Sequence, residues 1–406
     1  MSAALTISET DGLPRVLAGL DMRRSIPLRE HLARHGRLEL RRGELAPELE
    51  ASGLSGRGGA GFPVARKVRA VAERRGRPVV VVNAAEGEPT SGKDKLLLRH
   101  LPNLVIDGAA ALARELGAGE AFIVYSASAR HAGDALRAAL ADRAARRFDH
   151  CTIEAVELPT GYVRGQETAV VQYLNGGPAL PTVMPPRPFQ SGVGGAPTLV
   201  QNAETAAHVA LIGRYGSAWF RELGTSSEPG TALFTLTGAV GRRGVYEAPL
   251  GTPLRDLVAE AGGLEGAPGA FLVGGYAGAW IDEGTAASLK LDDASMRTRG
   301  GTIGVGAVAI LAGAACGVCA TARIVRFLAS ESAGQCGPCL YGLDAIATEF
   351  ERPRPDTARI ERWLGQVSGR GACRHPDGTA RLIASALKVF RTELHDHEPS
   401  RCTRTR

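Results

Sequence analysis

The hydrophobic pattern of the chain changes period several times, and each period predicts one kind of element. Val79 to Asn83 (VVVVN) and Ala121 to Tyr125 are short apolar runs typical of buried strands. Between them, Leu104 to Leu116 carries apolar residues at helical spacing. Strands that alternate with helices predict an α/β layer around a parallel sheet. Helical spacing in Ile26 to His35 predicts a helical lead-in, and Pro178 to Pro197 reads as an irregular loop.

A smaller unit is predicted from about Pro229, and a mainly helical one after Ala320. The smaller unit resembles a β-grasp arrangement of strands around one helix, with these elements: Ala232 to Thr237, Gly244 to Ala248, a helix capped by Thr252 and ended by Gly262-Gly263, and Phe271 to Val273. In the helical unit, Ile324, Val325, Phe327 and Leu328 share one face, and helical spacing continues through Leu382 to Leu394.

Composition and charge exclude several classes of protein. The 406 residues are 44% hydrophobic and 22% charged, which excludes disorder and collagen. The net charge of +6 is almost wholly arginine, with only five lysines and no basic stripe interleaved with aromatic residues, so nucleic acid is not an expected partner. The polar start predicts no secretory signal, and therefore a cytoplasmic protein.

Gly301 to Ala322 is uncharged over a length that could span a bilayer. Its five glycines argue against a membrane span. The run favours a short buried strand followed by a helix near Cys316.

The first motif with candidate chemistry is Gly56 to Pro63 (GRGGAGFP). Four glycines in six residues let backbone amides approach an anion closely, and Arg57 or Lys67 would add a positive charge. A phosphate group is the natural ligand. The segment lacks both the standard dinucleotide fingerprint and the P-loop ending, and a plain glycine-rich turn is the alternative.

Further polar motifs follow predicted strands. Asn83 to Pro89 (NAAEGEP) comes directly after VVVVN, so Asn83, Glu86 and Glu88 are expected in a crevice at the carboxyl end of the sheet. A solvated acidic turn is the alternative. Gly161 to Thr168 and Pro197 to Thr205 are also rich in amides, hydroxyls and carboxylates, which helix capping alone would explain.

Most of the seven cysteines lie late in the chain. Cys336 and Cys339 form a Cys-x-x-Cys pair followed by Cys373, a set typical of metal or cluster ligation. Cys316 and Cys319 form a second such pair. Two pairs would suit a structural zinc site, but a helix of about a dozen residues separates them, so buried thiols are the default interpretation for Cys316 and Cys319.

In this order the motifs GRGGAGFP, NAAEGEP, GQETA, PTLVQNAET and ESAGQCGPC resemble the F subunit of NADH-quinone oxidoreductase, the flavin-bearing subunit that oxidises NADH in respiratory complex I. The resemblance spans about Gly53 to His397. It implies an FMN-binding α/β domain, a soluble-ligand-binding β-grasp domain and a helical bundle holding a [4Fe-4S] cluster. The implied limits are 1–52 for the helical lead-in, 53–226, 227–315 and 316–406. Hydride would pass from NADH to FMN, and single electrons would leave through the cluster.

Carried over by position, the resemblance implies two sets of site residues and assigns no catalytic side chain. The cofactor-binding set is Gly56, Arg57, Gly58, Gly59, Ala60, Gly61, Phe62, Lys67, Asn83, Glu86, Glu88, Tyr162, Gly165, Gln166, Glu167, Gln201 and Asn202, with Phe62 and Glu88 on the NADH side. The metal ligands are Cys336, Cys339 and Cys373. The partners are other electron-transfer proteins, ferredoxin-like or in a membrane complex, so the chain is expected in the cytoplasm or at the inner face of the membrane, without a span of its own.

The chain departs from the family pattern at the cluster. The family's first ligand falls on Ala333, so three cysteines would hold a [3Fe-4S] cluster, or a [4Fe-4S] cluster whose fourth iron takes Ser332, water or a partner's group; binding of no cluster is the third outcome.

The nucleotide side departs too. Ala85 and Gln166 replace family carboxylates, Arg187 stands in the family's K-P-P-F stretch, and Ala70 replaces an aromatic residue. Gln166 beside Arg164 and Arg187 would relax the choice toward NADPH, since a carboxylate repels a 2′-phosphate. Alternatively nicotinamide binding is lost and a partner feeds the flavin, or the chain is a non-catalytic scaffold.

Overall fold

The predicted α/β layer is built on a four-stranded parallel sheet. A computed structural model describes residues 13–397, and in chain order its helices and strands are α1 (Leu28–His35), α2 (Leu45–Ser52), α3 (Val64–Ala72), β1 (Val79–Ala84), α4 (Lys93–His100), α5 (Pro102–Leu116), β2 (Glu120–Ser126), α6 (Arg130–Ala145), β3 (Thr152–Leu158), α7 (Glu167–Leu174), β4 (Thr198–Asn202), α8 (Ala203–Arg221), β5 (Thr231–Gly238), β6 (Gly244–Pro249), α9 (Leu254–Glu260), β7 (Pro268–Val273), β8 (Ala279–Ile281), α10 (Glu283–Ala286), α11 (Asp293–Arg297), β9 (Ala307–Ala312), α12 (Gly317–Ser330), α13 (Leu343–Phe350), α14 (Thr357–Val367), α15 (His375–Val389) and α16 (Arg391–His395).

The strand order of this sheet is β3-β2-β1-β4, with every pair parallel. The chain moves outward from β1 to β3 and then returns to place β4 on the other side of β1. A reversal of this kind opens a crevice at the carboxyl ends of β1 and β4, where open α/β sheets bind ligands.

The sheet is central because its middle strand is apolar on both faces. Val80, Val81 and Val82 of β1 are all fully buried. A strand covered by helices on both faces has no polar side, which explains the unbroken valine run. On one face α5 crosses α8 closely, because a Cβ at Gly108 would lie 1.9 Å from the Ala206 carbonyl oxygen. Glycine at this position allows the two helix backbones to touch.

The chain forms two compact units. The first runs up to Gly87 and includes Gly92–Leu233 and Val245–Gly251; the second comprises Glu88–Ser91, Phe234–Gly244 and the chain from Thr252 on. In the second unit β9 pairs in parallel with β5 and antiparallel with β7, which pairs with β8. Helices α12 to α16 follow. The four domain limits given above remain a prediction.

The uncharged run from Gly301 to Ala322 forms strand β9 and the start of α12, as predicted. The predicted Thr252 cap is wrong: Pro253 occupies the N-cap position of α9 and no side chain caps that helix. Within residues 13–397 no single helix is long and apolar enough to cross a membrane; the pair α4 and α5, bent by 97°, passes by length and composition alone.

Candidate active site

The crevice between β1 and β4 is lined by the last residues of both strands. Asn83 and Asn202 are register partners at the carboxyl ends of β1 and β4. The Asn202 side chain accepts a hydrogen bond from the Glu204 amide (3.0 Å) and so caps α8. Helix α8 therefore begins at the crevice, where its amides create positive potential.

The glycine segment borders this crevice. A Cβ on Gly58 would lie 3.3 Å from the Asn202 Cβ, so the backbone at Gly58 packs directly against the end of β4. Gly59 (φ 101°) and Gly61 (φ 60°) adopt left-handed conformations that disfavour any other residue. Among the described residues, no backbone carbonyl accepts from the amides of Gly58, Gly59, Ala60 and Gly61. Four successive amides thus remain available to an anion.

The side chain of Arg57, which the sequence predicts beside a phosphate, is hydrogen-bonded within the protein. Its guanidinium is buried and donates to the Thr231 carbonyl (3.0 Å) and the Ser55 hydroxyl (2.8 Å), while its amide donates to the Thr205 hydroxyl (2.9 Å). Two nitrogens of this buried guanidinium are thus hydrogen-bonded within the protein. Arg57 therefore fixes the glycine segment onto α8.

A buried lysine outside the sequence motifs described above forms ion pairs at this crevice. Lys93, at the start of α4, lies 3.0 Å from Glu204, 2.8 Å from Asp94 and 3.1 Å from the Asn202 side-chain oxygen. It is 1% exposed. The sequence offered only a faint signal, since Lys93 lies in the polar stretch SGKDK, where lysine ordinarily indicates surface.

Burial and charge act against each other in this cluster. Burial raises the pKa of Asp94 to about 6 against the pull of Lys93. Burial also opposes ionisation of Glu204, but Lys93, His208 and Arg57 outweigh it and lower that pKa to about 2. Burial lowers the pKa of Lys93 as well, yet the surrounding carboxylates raise it above its ordinary value. Lys93 therefore stays charged.

Two loops meet above the end of β1. The side-chain nitrogen of Asn83 donates to the Gly165 carbonyl (2.7 Å), and its side-chain oxygen accepts from the backbone amide of Ala85 (3.1 Å). A Cβ on Gly87 would lie 2.9 Å from the Tyr162 Cα and carbonyl oxygen. The motifs at Asn83 and at Gly161 to Thr168 therefore form one wall, as the predicted crevice requires.

The start of α7 contributes an ion pair and a cap. Lys67 donates to Glu167 (3.0 Å) and to the Val200 carbonyl (2.9 Å), and both side chains are about a third exposed. Gln166 caps α7, because its side-chain oxygen accepts from the amides of Thr168 (2.7 Å) and Ala169 (3.1 Å). Helix capping, the alternative to ligand binding given above for this motif, therefore explains the position of the Gln166 side-chain oxygen.

The acidic residues of NAAEGEP are turned toward backbone amides. Glu86 is buried and accepts from the Asp94 (3.4 Å) and Lys95 (3.3 Å) amides at the start of α4. Glu88 belongs to the second unit, where it accepts from the Tyr276 amide (2.9 Å). In the first unit Phe62 is 49% exposed, which suits a ring that stacks on a ligand.

The crevice fits FMN. Gln201, at the carboxyl end of β4, is buried and its amide nitrogen lacks a hydrogen-bond partner in the part of the chain that the structure describes. An unsatisfied buried donor costs about 1 to 3 kcal/mol. Together with the four available amides, it suits a ligand rich in phosphate and carbonyl oxygens.

The cysteine loop brings three thiols together in the second unit. Burial and the nearby thiols of Cys336 and Cys373 raise the pKa of Cys339 to about 12, while a hydrogen bond with the Ser332 hydroxyl opposes the rise. Burial and Cys336 likewise raise the pKa of Cys373. Cys339 lies in a π-helical turn, Pro338–Gly342, a feature often found at functional sites.

Three thiols fit an iron–sulfur cluster with three protein thiolates. The buried thiols of Cys339 and Cys373, whose pKa values are raised, favour the thiolate form once a cation is present, and iron supplies that charge. The donor set does not supply the four thiolates usual for [4Fe-4S], because Ala333 has no ligand atom. Ser332 is the hydroxyl beside Cys339.

These features define a flavin- and iron–sulfur-binding oxidoreductase component, and comparisons with known proteins agree. Residues 49–211 match the Nuo51 FMN-binding domain, 233–272 the SLBB domain, and 312–397 the NADH-ubiquinone oxidoreductase-F iron-sulfur binding region. The first and last of these matches contain the glycine segment and the three cysteines.

Whole-chain relatives give the same answer. An NADH-quinone oxidoreductase F subunit of Rhizobium meliloti is 34% identical over 88% of this chain and 90% of its own length, and the F subunit of Streptomyces coelicolor is 32% identical over 87% and 83%. The chain therefore belongs to the family of NADH-quinone oxidoreductase F subunits. It is an NADH dehydrogenase-type oxidoreductase component that uses FMN and an iron–sulfur cluster and works with electron-transfer partners.

The fold matches solved structures as well. Crystal structures of an NAD+-reducing [NiFe]-hydrogenase in the H2-reduced and air-oxidised states superpose with TM-scores of 0.80 and 0.81 at 30% and 32% identity. Each match covers 87% of this chain and 62% of the hydrogenase chain, so this chain spans somewhat less than two thirds of that relative.

Proposed function

We propose that FMN binds in the crevice between β1 and β4, that Cys336, Cys339 and Cys373 hold the cluster, and that the chain passes electrons from NADH to a partner protein in the cytoplasm. The observation behind the flavin assignment is the run of four available amides, Gly58 to Gly61, beside the end of β4. Bound FMN would supply the exchange between hydride and single-electron chemistry, and the cluster would conduct single electrons.

The residues of the crevice have separable tasks in this proposal. The amides of the glycine segment hold the phosphate, and Lys93 fixes Asn202 and Glu204 at the start of α8 beside it. The Gln201 amide donates to an oxygen of the bound flavin, which satisfies a donor that is otherwise buried without a partner among the described residues. The exposed ring of Phe62 stacks on the incoming nucleotide.

Glycine substitutions test the flavin site. Ala at Gly59 is strained by the positive φ of that residue, and so is Ala at Gly36 (φ 71°), which ends α1 in open space. Gly59→Ala is expected to lose at least about tenfold in FMN affinity, while Gly36→Ala, also strained but far from the glycine segment in sequence, keeps its flavin. FMN released on denaturation measures this; equal flavin retention in the two variants would contradict the assignment.

Use of NADPH is a second candidate that one observation favours. The oxygen of Gln166 caps α7, so this position presents only a neutral amide to the crevice side. Without the family carboxylate there, a 2′-phosphate meets no repulsion from this side chain. Stopped-flow reduction of the flavin by NADH and by NADPH measures the preference, and a strong preference for NADH would exclude the idea.

A further inference from the structure

A second cysteine cluster lies at the other end of α12, separate from the proposed iron–sulfur ligands. The sulfurs of Cys316 and Cys319 and a ring nitrogen of His397 all lie within 4.8 Å of one another. The separation from Cys319 Sγ to His397 Nε2 is 3.3 Å. Helix α12 places this group roughly 20 Å along its axis from the loop that holds Cys336.

The histidine presents the nitrogen that a metal needs. Its Nδ1 lies 3.2 Å from the Pro353 carbonyl oxygen, which can only accept, so Nδ1 carries the proton. In the neutral ring Nε2 is then the unprotonated nitrogen, and it is Nε2 that faces Cys319. A backbone carbonyl that fixes the tautomer in this way is the usual outer partner of metal-binding histidines.

Both thiols lie at the start of α12. Cys316 is the N-cap of α12, and its sulfur accepts from the Cys319 amide (3.4 Å). Cys316 and His397 are buried, and Cys319 is partly buried. The two sulfurs and the imidazole are therefore largely shielded from solvent.

The surrounding structure makes the cluster rigid. Glu393 of α16 accepts a hydrogen bond from the Gly317 amide (2.8 Å). A Cβ on Gly317 would lie 2.2 Å from the Phe390 ring, so only glycine lets α12 begin this close to the C-terminal helices. The start of α12 and the segment after α16 are therefore held together on either side of the three ligands.

We propose that Cys316, Cys319 and His397 bind one Zn²⁺ ion that fastens the segment after α16 to the start of α12. Two thiolates and an imidazole are the donor set that Zn²⁺ prefers, and tetrahedral zinc separates its ligand atoms by about 3.5 to 3.8 Å, in keeping with the observed spacing. Water completes the fourth position.

The test is metal analysis of the full chain, purified anaerobically without chelator. We expect wild type to contain one zinc per chain besides its iron and FMN. Cys319→Ser and His397→Ala should each lower zinc at least tenfold and leave iron and FMN unchanged. Cys151→Ser, at a half-buried cysteine of the first unit, should keep zinc and serves as the matched control.

Three results would overturn the proposal. In the first, wild type lacks zinc. In the second, zinc remains in Cys319→Ser and is lost from Cys339→Ser, which locates the metal in the cluster loop. In the third, mass spectrometry finds Cys316 and Cys319 joined as a disulfide, with the loss of two hydrogens. If the variants fail to fold, X-ray absorption at the zinc edge of wild type decides. We expect two sulfurs at about 2.3 Å and one imidazole nitrogen at about 2.0 Å, whereas four sulfurs or a shell of oxygen and nitrogen alone would contradict the site.

Discussion

The crevice and the cysteine loop bury polar groups in opposite ways. In the crevice, the charge of Lys93 is matched by Glu204 and Asp94 within 3.0 Å, so the protein balances its own charges. In the cysteine loop, buried thiols crowd one another and the pKa of Cys339 rises to about 12. The first region is organised before a ligand arrives, whereas the second needs a cation to complete it.

The comparison explains where the chain tolerates change. In the crevice, Gln166 stands where the family resemblance implies a carboxylate, and its side-chain oxygen caps α7. In the cysteine loop, Ala333 removes a ligand atom for which the protein provides only a hydroxyl nearby, that of Ser332. Because the charges of the crevice are paired within the protein, we expect the crevice to be more stable than the cysteine loop when the cofactors are absent.

The largest effect is expected from removing the crevice cation. Lys93→Met leaves Glu204 and Asp94 buried without their partner, which should lower the free energy of unfolding by about 3 to 5 kcal/mol and abolish FMN binding. Lys95→Met, two residues on and 37% exposed, is the matched control and should cost at most about 1 kcal/mol. Urea unfolding of both variants measures this, and equal stabilities would refute self-balanced charge in the crevice.

Acid should remove the same stabilisation. The folded pKa of Glu204, about 2, lies below its unfolded value near 4.5, so its contribution is present above pH 4.5 and is lost as the pH falls toward 2. The difference in unfolding free energy between wild type and Glu204→Gln should therefore shrink, by an amount on the order of 3 kcal/mol, across that window. Denaturant titrations at several pH values follow it. A difference that stays constant with pH would show that Glu204 is not held ionised.

A restored thiolate should complete the cysteine loop. Ala333→Cys supplies the ligand that the family pattern has, and iron per chain should rise by about a third if wild type holds three irons. EPR should then lose the signal of an oxidised three-iron cluster and gain that of a reduced four-iron cluster. Ala333→Val, which adds no ligand, is the control. Unchanged iron and EPR in Ala333→Cys would mean that Ser332 or another ligand already holds a fourth iron.

The smallest effect is expected at Gln166. Gln166→Glu keeps an oxygen for the α7 cap, so stability should change by less than about 0.5 kcal/mol. The added charge should weaken NADPH relative to NADH by about fivefold to tenfold in kcat/KM. Steady-state kinetics with both nucleotides measure the ratio. A ratio equal to that of wild type would place Gln166 away from the ribose phosphate.

The sequence predicted the secondary structure of this protein better than its long-range side-chain contacts. Alternating periods located β1, β2 and α5 to within two residues, and glycine and asparagine motifs located the crevice, because these signals are local. The sequence did not single out Lys93 or reveal the internal partners of Arg57, because Glu204 and Thr231 lie more than a hundred residues away from them in the chain. The same holds for His397, whose approach to Cys319 no spacing rule reveals.

The most direct test is an anaerobic titration of the purified chain with NADH, followed by flavin absorbance and EPR on the same sample. The account predicts a chain that retains FMN and iron, whose flavin bleaches at micromolar NADH or NADPH, and whose cluster signal changes in step. A chain that carries no flavin, or flavin that stays oxidised with both nucleotides, would contradict it.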